Sequence, residues 1–173
     1  QENGRSVQAV LESALSEIYK VPIRVIGCSR TDSGVHALGH VSHADVPFFL
    51  PPAKLPLAMN AILPRDVSVR WAAYVDKEFH ARFSSRGKRY RYRIWNSPCR
   101  SALHARMTAY VPGPLDISAM QAAASHFVGR HDFSAFCSAG APPGINPVRT
   151  LHAVQVIRPG GGSEIEIVVE GES

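Results

Sequence analysis

The sequence predicts an α+β protein, an antiparallel mixed sheet with helices on one face, assembled from two β-α-β-β halves. Three observations lead there. A helix–strand–strand order occurs twice, first from Ser6 to Val46 and again from Asp116 to Glu170. The segment Lys88 to Trp95 alternates with strict period two, the signature of a half-buried strand. That strand stands before the second copy of the order, whereas the first copy has none before its helix.

Each element has a local reason. From Ser6 to Tyr19, Val7, Val10, Leu11, Ala14, Leu15 and Ile18 recur at three- and four-residue spacing, and the Ser6 hydroxyl is placed to accept from an orphan amide of the first turn. Ile23 to Cys28 reads as a short buried strand, Thr31 to Gly34 as a tight turn and Val35 to Val46 as a second extended segment. Pro47 to Pro56 holds four of the 13 prolines and reads as a loop. A short helix around Leu57 to Ile62 stops before Pro64, because proline disfavours helical backbone at the residue preceding it. Val67 to Val75 alternates as a strand.

In Lys88 to Trp95, Tyr90, Tyr92 and Ile94 share one face and Arg89, Arg91 and Arg93 the other. Asp116 caps a second amphipathic helix bearing Ile117, Met120, Ala124, Phe127 and Val128 on one side, with Gly129 placed to end it. Strands at Leu151 to Arg158 and Glu164 to Glu170 follow, joined through Gly160, Gly161 and Gly162. These are two ferredoxin-like halves, divided near residue 80: 1–80 with its opening strand missing, and 81–173.

Composition narrows the function class. The chain has 173 residues, 45% of them hydrophobic, which suits a folded globular protein and excludes a disordered or fibrous one. Nineteen Lys and Arg against 14 Asp and Glu leave a charge of +5, which favours polyanionic partners. Cys28, Cys99 and Cys137 are odd in number and widely spaced, so neither a disulfide framework nor a zinc ribbon is indicated, and a reducing cytoplasm fits. They read as buried small hydrophobes rather than nucleophiles. No apolar run approaches the roughly 20 residues that span a bilayer. The first residue is Gln, so the native N-terminus is expected to lie upstream.

Asp32 sits in a turn whose Ser33 and Gly34 permit a sharp bend, either bonding its own backbone or serving chemistry. Arg30, two residues away, projects to the same side if the strand continues, and the pairing would keep Asp32 ionised. Asp32-Ser33-Gly34 is also the short mark of aspartic proteases, but these need two carboxylates sharing a proton, and the tripeptide occurs once, beside an arginine. Arg82, Arg86, Lys88, Arg89, Arg91 and Arg93 interleave with Phe83, Tyr90 and Tyr92, a mixture that holds phosphates and stacks bases, or else a solvated strand with aromatics in a core. His36, His40 and His43, at spacings of four and three, do not share one side of a strand, so no metal site is expected. His80, His131 and His152 are scattered.

The segment Arg30-Thr31-Asp32-Ser33-Gly34-Val35-His36-Ala37 resembles the signature of the TruA family of tRNA pseudouridine synthases, with Ser33 where the family usually has Ala. The resemblance continues, in the family's order, through Phe79-His80-Ala81-Arg82-Phe83-Ser84, Lys88-Arg89-Tyr90-Arg91-Tyr92, Gly129-Arg130-His131-Asp132-Phe133-Ser134-Ala135-Phe136 and Pro147-Val148-Arg149-Thr150-Leu151. It implies an isomerase that detaches uracil from ribose, rotates it and rejoins it through carbon, in the anticodon arm of tRNA, with no cofactor or metal. Asp32 matches the family's essential aspartate, nucleophile or base. Tyr90 matches the tyrosine that stacks on the target base, and Arg30 the arginine that helps displace it. Arg82, Arg86, Lys88, Arg89 and Arg91 would hold the RNA backbone. The base must leave the helix, because its glycosidic bond cannot be rebuilt while it is stacked and paired.

The resemblance further implies a cytoplasmic homodimer and no membrane partner. Of the family's opening strand and its Tyr-Asp-Gly and Gly-Trp-Gln region, only the tail Gln1-Glu2-Asn3-Gly4-Arg5-Ser6 is expected here. The family arginine that pairs with the aspartate would lie beyond Gly171-Glu172-Ser173, so the chain is expected to be truncated at both ends. The alternative to an enzyme is a non-catalytic RNA-binding module derived from the same fold.

Overall fold

Ser6 opens the first helix as its hydroxyl allows. Its Oγ accepts the Ala9 amide at 3.1 Å, α1 runs Val7–Tyr19, and Lys20 closes it in the left-handed region at φ 59°. The computed structural model describes residues 5–137 and 146–172; Gln1 to Gly4 of the opening tail, and Ser173, lie outside them. Two compact units divide the chain, Gln1–Ser85 and Arg86–Ser173.

In the first unit α1 packs against α2, Leu55–Ile62, which carries Pro56 in its first turn, where the missing amide costs nothing. Ala14, Leu15 and Tyr19 of α1 and Met59 of α2 form the core with Ile23 and Val25. The strands here are far shorter than their apolar patterning predicts. Among the described residues of this unit only β1, Ile26–Gly27, and β2, Ser42–His43, form an antiparallel ladder. Helix side chains explain the first shortfall. Ser16 Oγ accepts the Ile23 amide at 2.8 Å and Glu12 Oε1 the Val25 amide at 3.0 Å, so these backbone groups are satisfied without a neighbouring strand. A bond from the Gln8 side chain, together with the one from the Val25 amide, holds the Glu12 carboxyl below the usual glutamate range. The second extended segment shrinks to β2 because Val35 to Val41 is wholly exposed.

Val67 to Val75 forms no strand. Its alternation is met by a side chain instead: the Asn60 amide donates to the Val69 carbonyl and accepts the Val69 amide, both at 2.8 Å, imitating one rung of a ladder.

The second unit carries a five-stranded sheet in the order β4-β3-β7-β6-β5. Its strands are β3 Lys88–Asn96, β4 Ala109–Val111, β5 Gly129–Asp132, β6 Val148–Ile157 and β7 Glu164–Gly171, with α3, Ile117–Ser125, between β4 and β5. The succession β3, α3, β6, β7 is the expected β-α-β-β half, with β7 inserted between β3 and β6 and antiparallel to both. Two short edge strands extend it. β4 is parallel to β3, and Gly129 opens β5 at φ 111° rather than ending the helix, which stops at Ser125. Runs of three and four residues are too short for periodicity to reveal.

Asp116 caps α3 by accepting the Ala119 amide at 3.0 Å. The helix lies against β6, and Gln121 bonds Val154 and Val156 where β6 runs past the end of β5. The core beneath it holds Ile94, Ala124, Val154, Val156 and Ile165, the last fully enclosed. No helix among the described residues is long and apolar enough to cross a membrane.

Candidate active site

Asp32 stands at the tip of a loop that is closed at its neck. The β1–β2 ladder begins the closure, and the Cys28 amide donating to the Val41 carbonyl at 2.9 Å extends it. His40 Nε2 bonds the Ser29 carbonyl at 3.0 Å. Gly27 makes room for that ring: a Cβ on it would meet His40 Cε1 at 2.8 Å. Further out, Arg70 Nη1 donates to the Leu38 carbonyl at 3.0 Å.

At the tip, the Asp32 carbonyl accepts the Val35 amide at 3.2 Å, and Gly34, at φ 82°, makes the turn that the sequence predicts. Arg30 to His40 are all exposed. The expected Arg30–Asp32 ion pair does not form, since both lie in the loop outside any ladder and lack the common face a strand would give them. The loop therefore offers a carboxylate and a guanidinium side by side in sequence, each open to a ligand.

His43 closes the other end of this loop and bears on a second motif. Its Nδ1 accepts the Ala81 amide at 3.1 Å, and its ring meets His80 edge-on at a centroid distance of 4.8 Å. His40 and His43 thus serve the backbone, the one at Ser29 and the other at Ala81. Arg82 follows on the exposed turn.

In the second unit β3 displays the two faces its sequence predicts, but neither is simple. Tyr90 and Tyr92 share the face of Ile94, yet only Ile94 is buried, and both phenol rings stay more than half exposed. The opposite face is cationic only in isolation. Across the ladder β7 presents Glu164, Glu166 and Glu170, in register with Trp95, Arg93 and Arg89. Arg93 makes a bidentate bridge to Glu164 at 2.6 and 2.7 Å, Arg91 reaches Glu166 at 3.3 Å, and Arg89 reaches Glu170 at 2.8 Å. Arg93 holds the Glu164 carboxyl below the usual glutamate range, and Glu164 in turn raises the guanidinium. Among the described residues, Arg82, Arg86 and Lys88 have no carboxylate partner.

The period-two glutamates of β7 were visible in the sequence, but their register against the arginines was not. The supporting residues His40 and Arg70 had no signal at all, because each bonds a main-chain carbonyl rather than a recognisable partner type. In the Gly129 to Phe136 motif, Asp132 Oδ1 accepts the Ser134 amide at 2.8 Å and His131 Nε2 bonds the Val128 carbonyl at 3.0 Å. Cys28 is half-buried but Cys99 and Cys137 are exposed, so the expectation of three buried cysteines fails; both lie in loops that the core does not reach.

Comparison with known proteins bears on this loop directly. A family model described as tRNA pseudouridine synthase matches residues 1–84 and 123–173, which include the Asp32 loop, β5, β6 and β7. The chain is 42% identical over 168 residues to tRNA pseudouridine synthase A of Limosilactobacillus fermentum, covering 95% of this chain and 65% of the relative. It is 44% identical over 161 residues to that of Halalkalibacterium halodurans, covering 92% and 61%. With that of Bacillus licheniformis it shares 40% identity over 173 residues, covering 99% and 70%. The chain thus spans between 61% and 70% of the length of these curated relatives. With its Asp32 turn inside the matched segments and identity at this level along nearly its whole length, the chain belongs to the tRNA pseudouridine synthase family.

Proposed function

We propose that this protein converts uridine to pseudouridine in the anticodon arm of tRNA, with Asp32 as the nucleophile or base. The observation that carries the reading is the exposed Asp32 turn, held on a closed neck within the segments that match the family. The reaction breaks the bond from ribose C1′ to N1 of uracil and forms one from C1′ to C5. A proton leaves C5 and N1 gains one, so atoms balance without a cofactor. A carboxylate is suited to the work, as a nucleophile at the sugar or base or as the acceptor of a sugar proton.

The target base must be displaced from its stack before the bond is cut. Arg30, near Asp32 in sequence and without an acidic partner among the described residues, helps displace the base, and Tyr90, more than half exposed, stacks on the target. Arg82, Arg86 and Lys88 hold backbone phosphates, with a smaller share from Arg89 and Arg91, whose charges the β7 glutamates already meet. The protein works in the cytoplasm as a homodimer.

Pseudouridine mapping tests the reading. Unmodified tRNA is incubated with the chain, and with a form extended to the length of its relatives, then treated with a carbodiimide and copied by reverse transcriptase. Stops confined to uridines of the anticodon arm are expected; stops in another arm, or none with either form, contradict the proposal.

A further inference from the structure

The turn from Phe79 to Ser84 is braced more heavily than an exposed turn requires. The Ser84 amide donates to the His80 carbonyl at 2.8 Å, and the His80 amide donates to Ser84 Oγ at 3.1 Å. His80 Nδ1 accepts the amides of Arg82 and Phe83 at 3.2 and 3.3 Å. Ala81, only 3% exposed, anchors the turn and gives its own amide to His43. Five hydrogen bonds and one buried methyl thus hold two outward side chains, Arg82 and Phe83.

Phe83 is 80% exposed, and one side of its ring lies on the His80 imidazole, with centroids 4.3 Å apart and planes tilted by 30°. A phenyl ring left in water forgoes the burial that would stabilise the fold. Its chain neighbours Arg82 and Ser84 are polar and exposed, so the ring stands between a cation and a hydroxyl in sequence. A rigid aromatic face beside a guanidinium that has no carboxylate partner among the described residues matches a nucleotide, whose base has a π-face whatever its identity and whose phosphate is anionic.

We infer that Phe83 is a stacking platform for an unpaired base of the bound RNA, with Arg82 on the adjoining phosphate. The inference rests on the tRNA reading above and adds to it a second aromatic contact besides Tyr90. Because the ring is already fixed by the turn, little conformational freedom is lost when the base arrives.

Binding of unmodified tRNA to the full chain, followed by fluorescence anisotropy at constant salt, tests it with Phe83→Leu and Phe83→Trp, each checked for unchanged thermal unfolding. Leucine keeps an apolar side chain but removes the π-face, so Phe83→Leu should weaken binding by about five- to 150-fold, the range that stacking of one base represents. Phe83→Trp should bind at least as tightly as the unaltered chain. Phe83→Leu binding within twofold of a tightly binding parent overturns the platform and leaves the tRNA reading intact. No binding of tRNA by the unaltered chain overturns both.

Discussion

The ladder between β3 and β7 predicts that the arginines of this chain are unequal toward RNA, although they are adjacent in sequence. Arg91 lies 3.3 Å from Glu166, a carboxylate of which only 10% of the side chain is exposed, and Arg89 lies 2.8 Å from Glu170. Arg82, Arg86 and Lys88 lack such partners among the described residues. A cation that neutralises a phosphate releases a counterion and steepens the fall of log affinity with log salt by about 0.7 to 0.9. Between about 50 and about 200 mM salt each such contact therefore changes affinity by roughly threefold. Replacing Arg82, Arg86 and Lys88 with Gln should lower the slope by about 2 to 3. Replacing Arg89 and Arg91 should lower it by well under 1, because Glu170 and Glu166 already occupy them. Filter binding of tRNA across a salt series reads both. An equal slope loss per residue in the two sets would refute the neutralisation argument.

The Arg93–Glu164 bridge makes a stability prediction with a definite pH direction. Glu164 is lowered from 4.5 in the folded chain, so its contribution is fully present above that value and lost as pH falls through the lower folded value. Glu164→Gln should cost about 1.5 to 3 kcal/mol near neutral pH in urea unfolding, and the cost should shrink as the solution is acidified; a penalty independent of pH would contradict the pairing. Asn60→Ala, which removes both bonds to Val69, should cost about 1 to 3 kcal/mol and raise amide exchange at Val69; unchanged exchange there would remove Asn60 as the substitute rung.

Helices and the second β-α-β-β half were legible because each carries its signal locally. Ser6 and Asp116 announce their caps, and the alternation from Lys88 to Trp95 survives as the longest part of β3. The first unit was harder to read. Ile23 to Val25 and Val67 to Val75 have the apolar patterning of strands, but Ser16, Glu12 and Asn60 answer amides there that a strand would otherwise have answered. Such bonds join residues as little as seven and as many as 13 apart, with no periodic mark.

The Asp32 turn was legible for the opposite reason. A carboxylate next to a glycine that must take positive φ is a local event. Its supports, His40 and Arg70, hold carbonyls 11 and 32 residues away, and a main-chain carbonyl has no residue identity to recognise. The cationic strand shows the remaining limit: spacing placed Arg89, Arg91 and Arg93 on one face, but only the cross-strand register showed that glutamates face them.

The central claim is that Asp32 performs uridine isomerisation. Transfer of the glycosidic bond to C5 expels the hydrogen there, so tRNA carrying 5-tritiated uridine reports turnover as tritium released to water. The measurement compares the chain, a form extended to the relatives' length, and Asp32→Ala in whichever releases label. Release abolished by Asp32→Ala, with tRNA affinity kept within about threefold, is the predicted result for a residue that acts on the reaction rather than on binding. Undiminished release from Asp32→Ala, or tight tRNA binding with no release from either form, would contradict the account.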